Sequence, residues 1–146
     1  MSTPFDKKIA AVADVQMGMD KRIIDEVVRN NEEAIKIQAS QMFSGKLGTG
    51  QETSPSYTPF TRSIKRRKGQ PSDRVTLRDT GDFQDDIVID YGPDSFKYDS
   101  LDEKRTKLVN KYSEDIFGLN SQGIDELISV IRDGVVIGSQ KQIMDA

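Results

Sequence analysis

Residues 87–99 read Ile87-Val88-Ile89-Asp90-Tyr91, then Gly92-Pro93-Asp94, then Ser95-Phe96-Lys97-Tyr98-Asp99. β-Branched and aromatic side chains fill the first run, as a strand requires. Gly-Pro-Asp is a turn signal. Phe96 and Tyr98 then alternate with polar neighbours, which puts both rings on one face. Together the three pieces predict a β-hairpin. A hairpin alone is marginal in water, so its apolar face must be covered, and the flanking sequence supplies helices to do it.

Downstream, Ser100-x-x-Glu103 has the form of a capping box. It predicts a helix from Leu101 or Asp102 that carries Leu108, Val109 and Tyr112 and ends near Ser113. Asp115-Ile116-Phe117-Gly118-Leu119 reads as a compact apolar turn. Asn120 or Ser121 then caps a last helix with Ile124, Leu127, Ile128 and Ile131 on one face. Beyond Gly134, residues 133–146 fit a strand or a continued helix.

Upstream, Val75-Thr76-Leu77 restores order, and Thr80-Gly81 leads into a short turn over residues 82–86. The N-terminal region, residues 1–44, reads as helical. Thr3 caps it, Pro4 suits the first helical position, and Asp6 suits the dipole. Ile9, Val12, Met19, Ile23 and Val27 recur at helical spacing, and Ile24, Val28, Ile35, Met42 and Phe43 widen the stripe. Gly18 divides a short leading helix from a long one over residues 20–43, which Ser44-Gly45 stops.

Between these regions, residues 45–74 show no periodicity and hold four glycines and three prolines. So long a stretch is unusual inside a compact domain. It is either disordered alone or an extended arm that docks on a neighbour, with Tyr57 and Phe60 as anchors. The predicted fold is therefore α+β in one domain, residues 1–146. It has a long N-terminal helix, a long mid-chain loop, and a small antiparallel sheet packed with two C-terminal helices over residues 75–146.

Composition narrows the chemistry. The chain has 146 residues, no cysteine and no histidine. Disulfides, thiolate zinc sites, cysteine nucleophiles and Ser-His-Asp triads are excluded. Net charge is −3, too balanced for a general nucleic-acid binder. No run reaches the roughly 18 apolar residues of a membrane span, and the start, MSTPFDKK, has no signal-peptide core. No membrane partner, metal or cofactor is expected, nor any catalytic group.

Three constellations remain. Arg62, Lys65, Arg66, Arg67 and Lys68, with Arg74 and Arg78 beyond, form a basic cluster suited to an acidic protein surface or to DNA. Pro93-Asp94 followed by Asp102-x-Lys104 imitates a metal-nuclease pattern. That chemistry needs carboxylates converging from adjacent strand ends, whereas here one pair falls in a turn and the other in a helix start. Asp79, Asp82, Asp85, Asp86 and Asp90 lack the ligand register of a calcium loop.

Leu77-Arg78-Asp79-Thr80-Gly81-Asp82-Phe83, then Ile87 and a strand pair, then Tyr112-Ser113-Glu114-Asp115-Ile116-Phe117-Gly118-Leu119 and a closing helix, form an ordered set. Over about residues 75–132 this set resembles the tail-completion, or neck, proteins of tailed bacteriophages. The residues that carry the resemblance are Leu77, Thr80, Gly81, Phe83, Tyr112, Phe117, Gly118 and Leu119. The resemblance implies a non-enzymatic virion protein, made in the host cytoplasm, that joins portal or adaptor to tail. It also implies a homo-oligomeric ring of about six or twelve copies, with the basic cluster facing an acidic partner or DNA in the channel. The rival reading is a small regulatory or nucleic-acid-binding module that uses the basic 62–78 segment.

Overall fold

The computed structural model describes residues 19–79, 81–93 and 95–144. Its architecture is α+β. Helices α1 (Met19–Arg29), α2 (Asn31–Phe43), α3 (Pro59–Arg67) and α4 (Asp82–Asp85) precede the hairpin β1 (Ile87–Tyr91) and β2 (Phe96–Ser100). Helix α5 (Arg105–Tyr112), a 3-10 turn (Glu114–Ile116) and α6 (Ser121–Met144) follow.

The strands pair antiparallel, with Ile87 opposite Ser100, Ile89 opposite Tyr98 and Tyr91 opposite Phe96. Residues directly opposite share a face, so these three pairs point to the helices. Two tyrosine hydroxyls fix the sheet to the α1–α2 pair. Tyr98 Oη donates to the Ala34 carbonyl at 2.9 Å, and Tyr91 Oη donates to Asn31 Oδ1 at 2.6 Å.

Burial falls into two clusters. Met42, Leu47, Val75, Leu77, Phe83, Ile87, Tyr98 and Ile116 form the larger one beneath the hairpin. Val27, Ala34, Leu127 and Ile131 form a smaller one where α1 and α2 meet α6. Each fully buried aliphatic side chain contributes about 1.5–3 kcal/mol.

The structure corrects the sequence reading at three places. Residues 20–43 are two helices rather than one long rod. The break is at Asn30, which leaves helical geometry (φ −109°, ψ 32°) while its Nδ2 donates to the Glu26 carbonyl at 2.8 Å. A short amide side chain competes in this way for backbone partners. The leading helix expected ahead of Gly18 lies outside the described residues.

Residues 45–74 are not a structureless arm. Lys46 and Glu52 form an isolated antiparallel bridge, and Thr58 caps α3 by accepting from Thr61 N–H at 3.2 Å, with Pro59 in the first turn. Of the Pro and Gly residues that suggest disorder, Gly45, Pro59 and Gly69 mark helix boundaries instead.

Helix α5 starts at Arg105, later than the capping box predicts. Ser100 Oγ is used elsewhere. It donates to the Phe83 carbonyl at 3.1 Å and accepts from Asp102 N–H at 3.2 Å. The C-terminal alternative resolves as helix, since α6 continues through Gly134 to Met144.

Gly48 is a close contact between the 45–52 loop and the 115–118 turn. Its N–H donates to the Asp115 carbonyl at 2.8 Å. A Cβ there would lie 3.0 Å from the Gly118 carbonyl oxygen and 3.1 Å from that of Phe117. Both are backbone atoms that a rotamer change cannot move. Gly48→Ala is expected to cost about 1–3 kcal/mol, lowering the thermal midpoint by about 3–8 °C in a calorimetric melt.

Candidate interaction surfaces

Most residues of the 77–83 and 112–119 motifs are scaffold. Leu77 and Phe83 are buried core, and Phe83 meets Phe117 with ring centroids 6.0 Å apart. Gly81 has φ +96° at the N-terminus of α4, a conformation in which an L side chain is strained. Tyr112 is half-buried, and burial, with a smaller effect from Tyr57, raises its phenol above the ordinary tyrosine range. Thr80 lies outside the described residues.

Gly118 and Leu119 belong to a turn held by two glutamines of α2 that the sequence reading does not single out. Gln38 Oε1 accepts from Gly118 N–H at 2.7 Å, and Gln38 Nε2 donates to the Ile116 carbonyl at 3.4 Å. One helical turn later, Gln41 Nε2 donates to the Gly118 carbonyl at 2.7 Å, and its Oε1 accepts from Asn120 N–H at 2.9 Å. Four backbone groups with no helix or strand partner are thereby satisfied, which is what a buried turn needs. Gln38 is fully buried and Gln41 7% exposed. Asn120 Oδ1 then accepts from Gly123 N–H at 3.0 Å, which starts α6 as the sequence predicts.

This turn is one wall of an apolar groove of about 520 Å³. Phe96 and Tyr98 of β2 line it, as do Phe117, Leu119, Ile124 and Ile128. Lys97 and Glu114 also line it and bring opposite charges to it. Of the apolar stripe expected on the last helix, Leu127 and Ile131 are buried, but Ile124 and Ile128 remain 48% and 44% exposed. Half of that stripe is therefore core, and half is open surface.

The mid-chain residues divide likewise. Tyr57 is half-buried in its own subunit, where its hydroxyl accepts from Thr76 N–H at 3.0 Å. Lys65 is buried, donating to the Arg78 carbonyl at 2.7 Å with its ammonium 5.3 Å from the Tyr57 ring centroid. Lys68 pairs with Asp79 at 2.7 Å, and this hydrogen bond holds the Asp79 carboxyl below the usual carboxylate range. These three fasten α3 to the 76–79 segment, so the expected anchor Tyr57 and the expected partner-facing Lys65 and Lys68 make intramolecular contacts instead. Phe60, Arg62, Arg66 and Arg67 face outward, Phe60 at 72% exposure.

Among the described residues, no group of three acidic side chains is placed to hold a metal ion. No described helix is long and apolar enough to cross a membrane. Asp102 accepts from Lys104 N–H at 2.8 Å in the turn ahead of α5, and Asp94 lies outside the described residues. Compared with known protein families, curated proteins and solved structures, the chain finds no match among any of the three.

Proposed function

We propose that the chain is a non-enzymatic assembly subunit that joins further copies of itself, as in the ring-forming neck proteins of tailed bacteriophages. In that setting it would lie between portal or adaptor and tail in the virion. The observation that supports this most is the open groove between β2, the Phe117–Leu119 turn and α6. Exposed Ile124 and Ile128 extend its apolar surface outward. Apolar surface gathered in one concave patch is the usual mark of a protein contact. Lys97 and Glu114, which line the groove, already pair with Asp90 and Arg105 of the same chain. A ring joins copies head to tail, so the groove would take a different apolar patch of the next copy rather than its own twin. The motif order from Leu77 to Leu119 supports the phage assignment by resemblance. The mid-chain segment is fastened to its own subunit, which favours the groove over a 45–74 arm as the proposed intersubunit contact.

Light scattering after size exclusion tests the proposal. The parent chain is expected to gain mass with concentration, or on mixing with the portal and tail proteins it would join. Ile128→Glu puts a charge in the patch and is expected to stay monomeric with an unchanged melting curve, because Ile128 is 44% exposed. A parent chain that stays monomeric at every concentration, alone and in those mixtures, would sink the reading.

A further inference from the structure

The outward face of α3 contributes nothing visible to the fold, yet its composition is far from neutral. Lys65 and Tyr57 fix the helix's rotation from the inner side. The opposite side presents Phe60, Arg62, Ser63, Arg66 and Arg67, all exposed. Phe60 and Arg67 stand seven residues apart on one stripe, and Arg62 and Arg66 stand four apart on the next. None of the three arginines makes an ion pair with a described residue. From Thr53 to Ser72 the sequence holds no aspartate or glutamate, although the whole chain is net acidic.

Helix stabilisation accounts for only part of this. Cations in the last turn complement the helix dipole, which covers Arg66 and Arg67. Arg62 lies near the N-terminal end, where the dipole disfavours a cation. Phe60 leaves 72% of its surface in water, so its burial stabilises little. Fixed guanidinium forks match phosphate oxygens bidentately, and an aromatic ring beside them offers a base a stacking platform. An acidic protein surface would use the arginines and leave the ring idle; unpaired nucleic acid uses both.

We propose that this face of α3 binds single-stranded nucleic acid without sequence preference, with Arg62, Arg66 and Arg67 on consecutive phosphates and Phe60 stacked on a base. The proposal is independent of the assembly reading, since it uses a different surface. The test is fluorescence anisotropy with a labelled oligo-deoxythymidine of about 20 nucleotides and with a duplex of equal length, across about 50–200 mM salt. The full chain is expected to bind the single strand more tightly than the duplex, with steep salt dependence. Replacing Arg62, Arg66 and Arg67 together by glutamine is expected to weaken binding at least tenfold. The same change should reduce the salt slope by about two, near 0.7 for each phosphate left without its arginine. Phe60→Ala is expected to weaken single-strand binding about tenfold and leave the slope unchanged. All four positions are exposed, so melting curves should match the parent. Absence of binding at about 50 mM salt overturns the proposal. So does binding that neither variant alters, or equal affinity for single strand and duplex with Phe60→Ala silent. A polyglutamate chain bound as tightly as the oligonucleotide would assign the face to an acidic protein and overturn it as well.

Discussion

Gln38→Leu is expected to destabilise the protein by about 2–4 kcal/mol, and Gln41→Leu by about 1–2 kcal/mol. Leucine nearly matches glutamine in volume, so little cavity forms and the loss is polar. In the first variant the Gly118 N–H loses the 2.7 Å acceptor it has in Gln38 Oε1, and the Ile116 carbonyl loses a longer, weaker donor. Gln38 is fully buried, so water is slow to replace it, and an orphaned buried backbone group costs about 1–3 kcal/mol. The second variant frees the Gly118 carbonyl and Asn120 N–H, but Gly118 and Asn120 are themselves only half-buried, and solvent recovers part of the loss. Both glutamines hold one turn, so the double variant is expected to cost less than the sum. Gln38→Glu should be worse than Gln38→Leu, because it keeps the acceptor, removes the donor and buries a charge. Urea unfolding of the parent and these variants decides the matter. A Gln38→Leu stability within about 0.5 kcal/mol of the parent would mean the amide is not holding the turn.

Those glutamines also show what the sequence conceals. The hairpin is legible because its signals are local: alternation at Phe96 and Tyr98, a Gly-Pro turn, and β-branched residues on one strand. The α+β class follows from it. Gln38 and Gln41 lie on the stripe of Val27, Ala34 and Met42, at helical spacing, but a polar residue on an apolar stripe reads as an edge of the exposed face. Its partners are 77 to 80 residues away, and no local pattern announces them. The same limit explains the mid-chain segment. Its prolines and glycines read as signs of disorder, yet Pro59 begins α3, and Lys65, Tyr57 and Lys68 gain partners only when residues 76–79 are brought alongside. Of the seven mid-chain interface candidates, Phe60, Arg62, Arg66 and Arg67 stay outward, Tyr57 and Lys65 turn inward, and Lys68 is exposed but paired with Asp79. Periodicity in a nine-residue helix shows which residues share a face, but the inner face is chosen by what packs beneath it. The groove is hidden for a related reason. Ile124 and Ile128 share a stripe with Leu127 and Ile131, and the packing of α1 and α2 against α6 decides which pair is covered.

Tyr98 gives the second large effect, and it depends on pH. Its ring is buried among the core residues, and its hydroxyl donates to the Ala34 carbonyl at 2.9 Å. Tyr98→Ala is expected to cost about 3–5 kcal/mol, through lost burial and the cavity left behind. Tyr98→Phe keeps the ring and removes the donor, for about 1–2 kcal/mol near neutral pH. Burial, and to a smaller degree a charged Tyr91 nearby, raises the Tyr98 phenol well above its ordinary value of 10.0. Burial raises Tyr91 as well. A raised acid is one that the folded state holds in its neutral form. Its stabilisation is complete below the unfolded value and is lost as pH rises from there through the folded value. A phenolate, moreover, has no proton to donate to Ala34. Stability measured by urea unfolding should therefore be level from about pH 7 to 9 and fall above about pH 10. Tyr98→Phe removes the largest contributor, so its alkaline limb should be shallower though not flat, since Tyr91 and Tyr112 titrate from raised values too. The parent's advantage over Tyr98→Phe is then expected to shrink steadily above about pH 10. A gap that stays constant to the most alkaline point measured would show that the phenol does not ionise against burial, and that its bond to Ala34 contributes nothing specific to the neutral form.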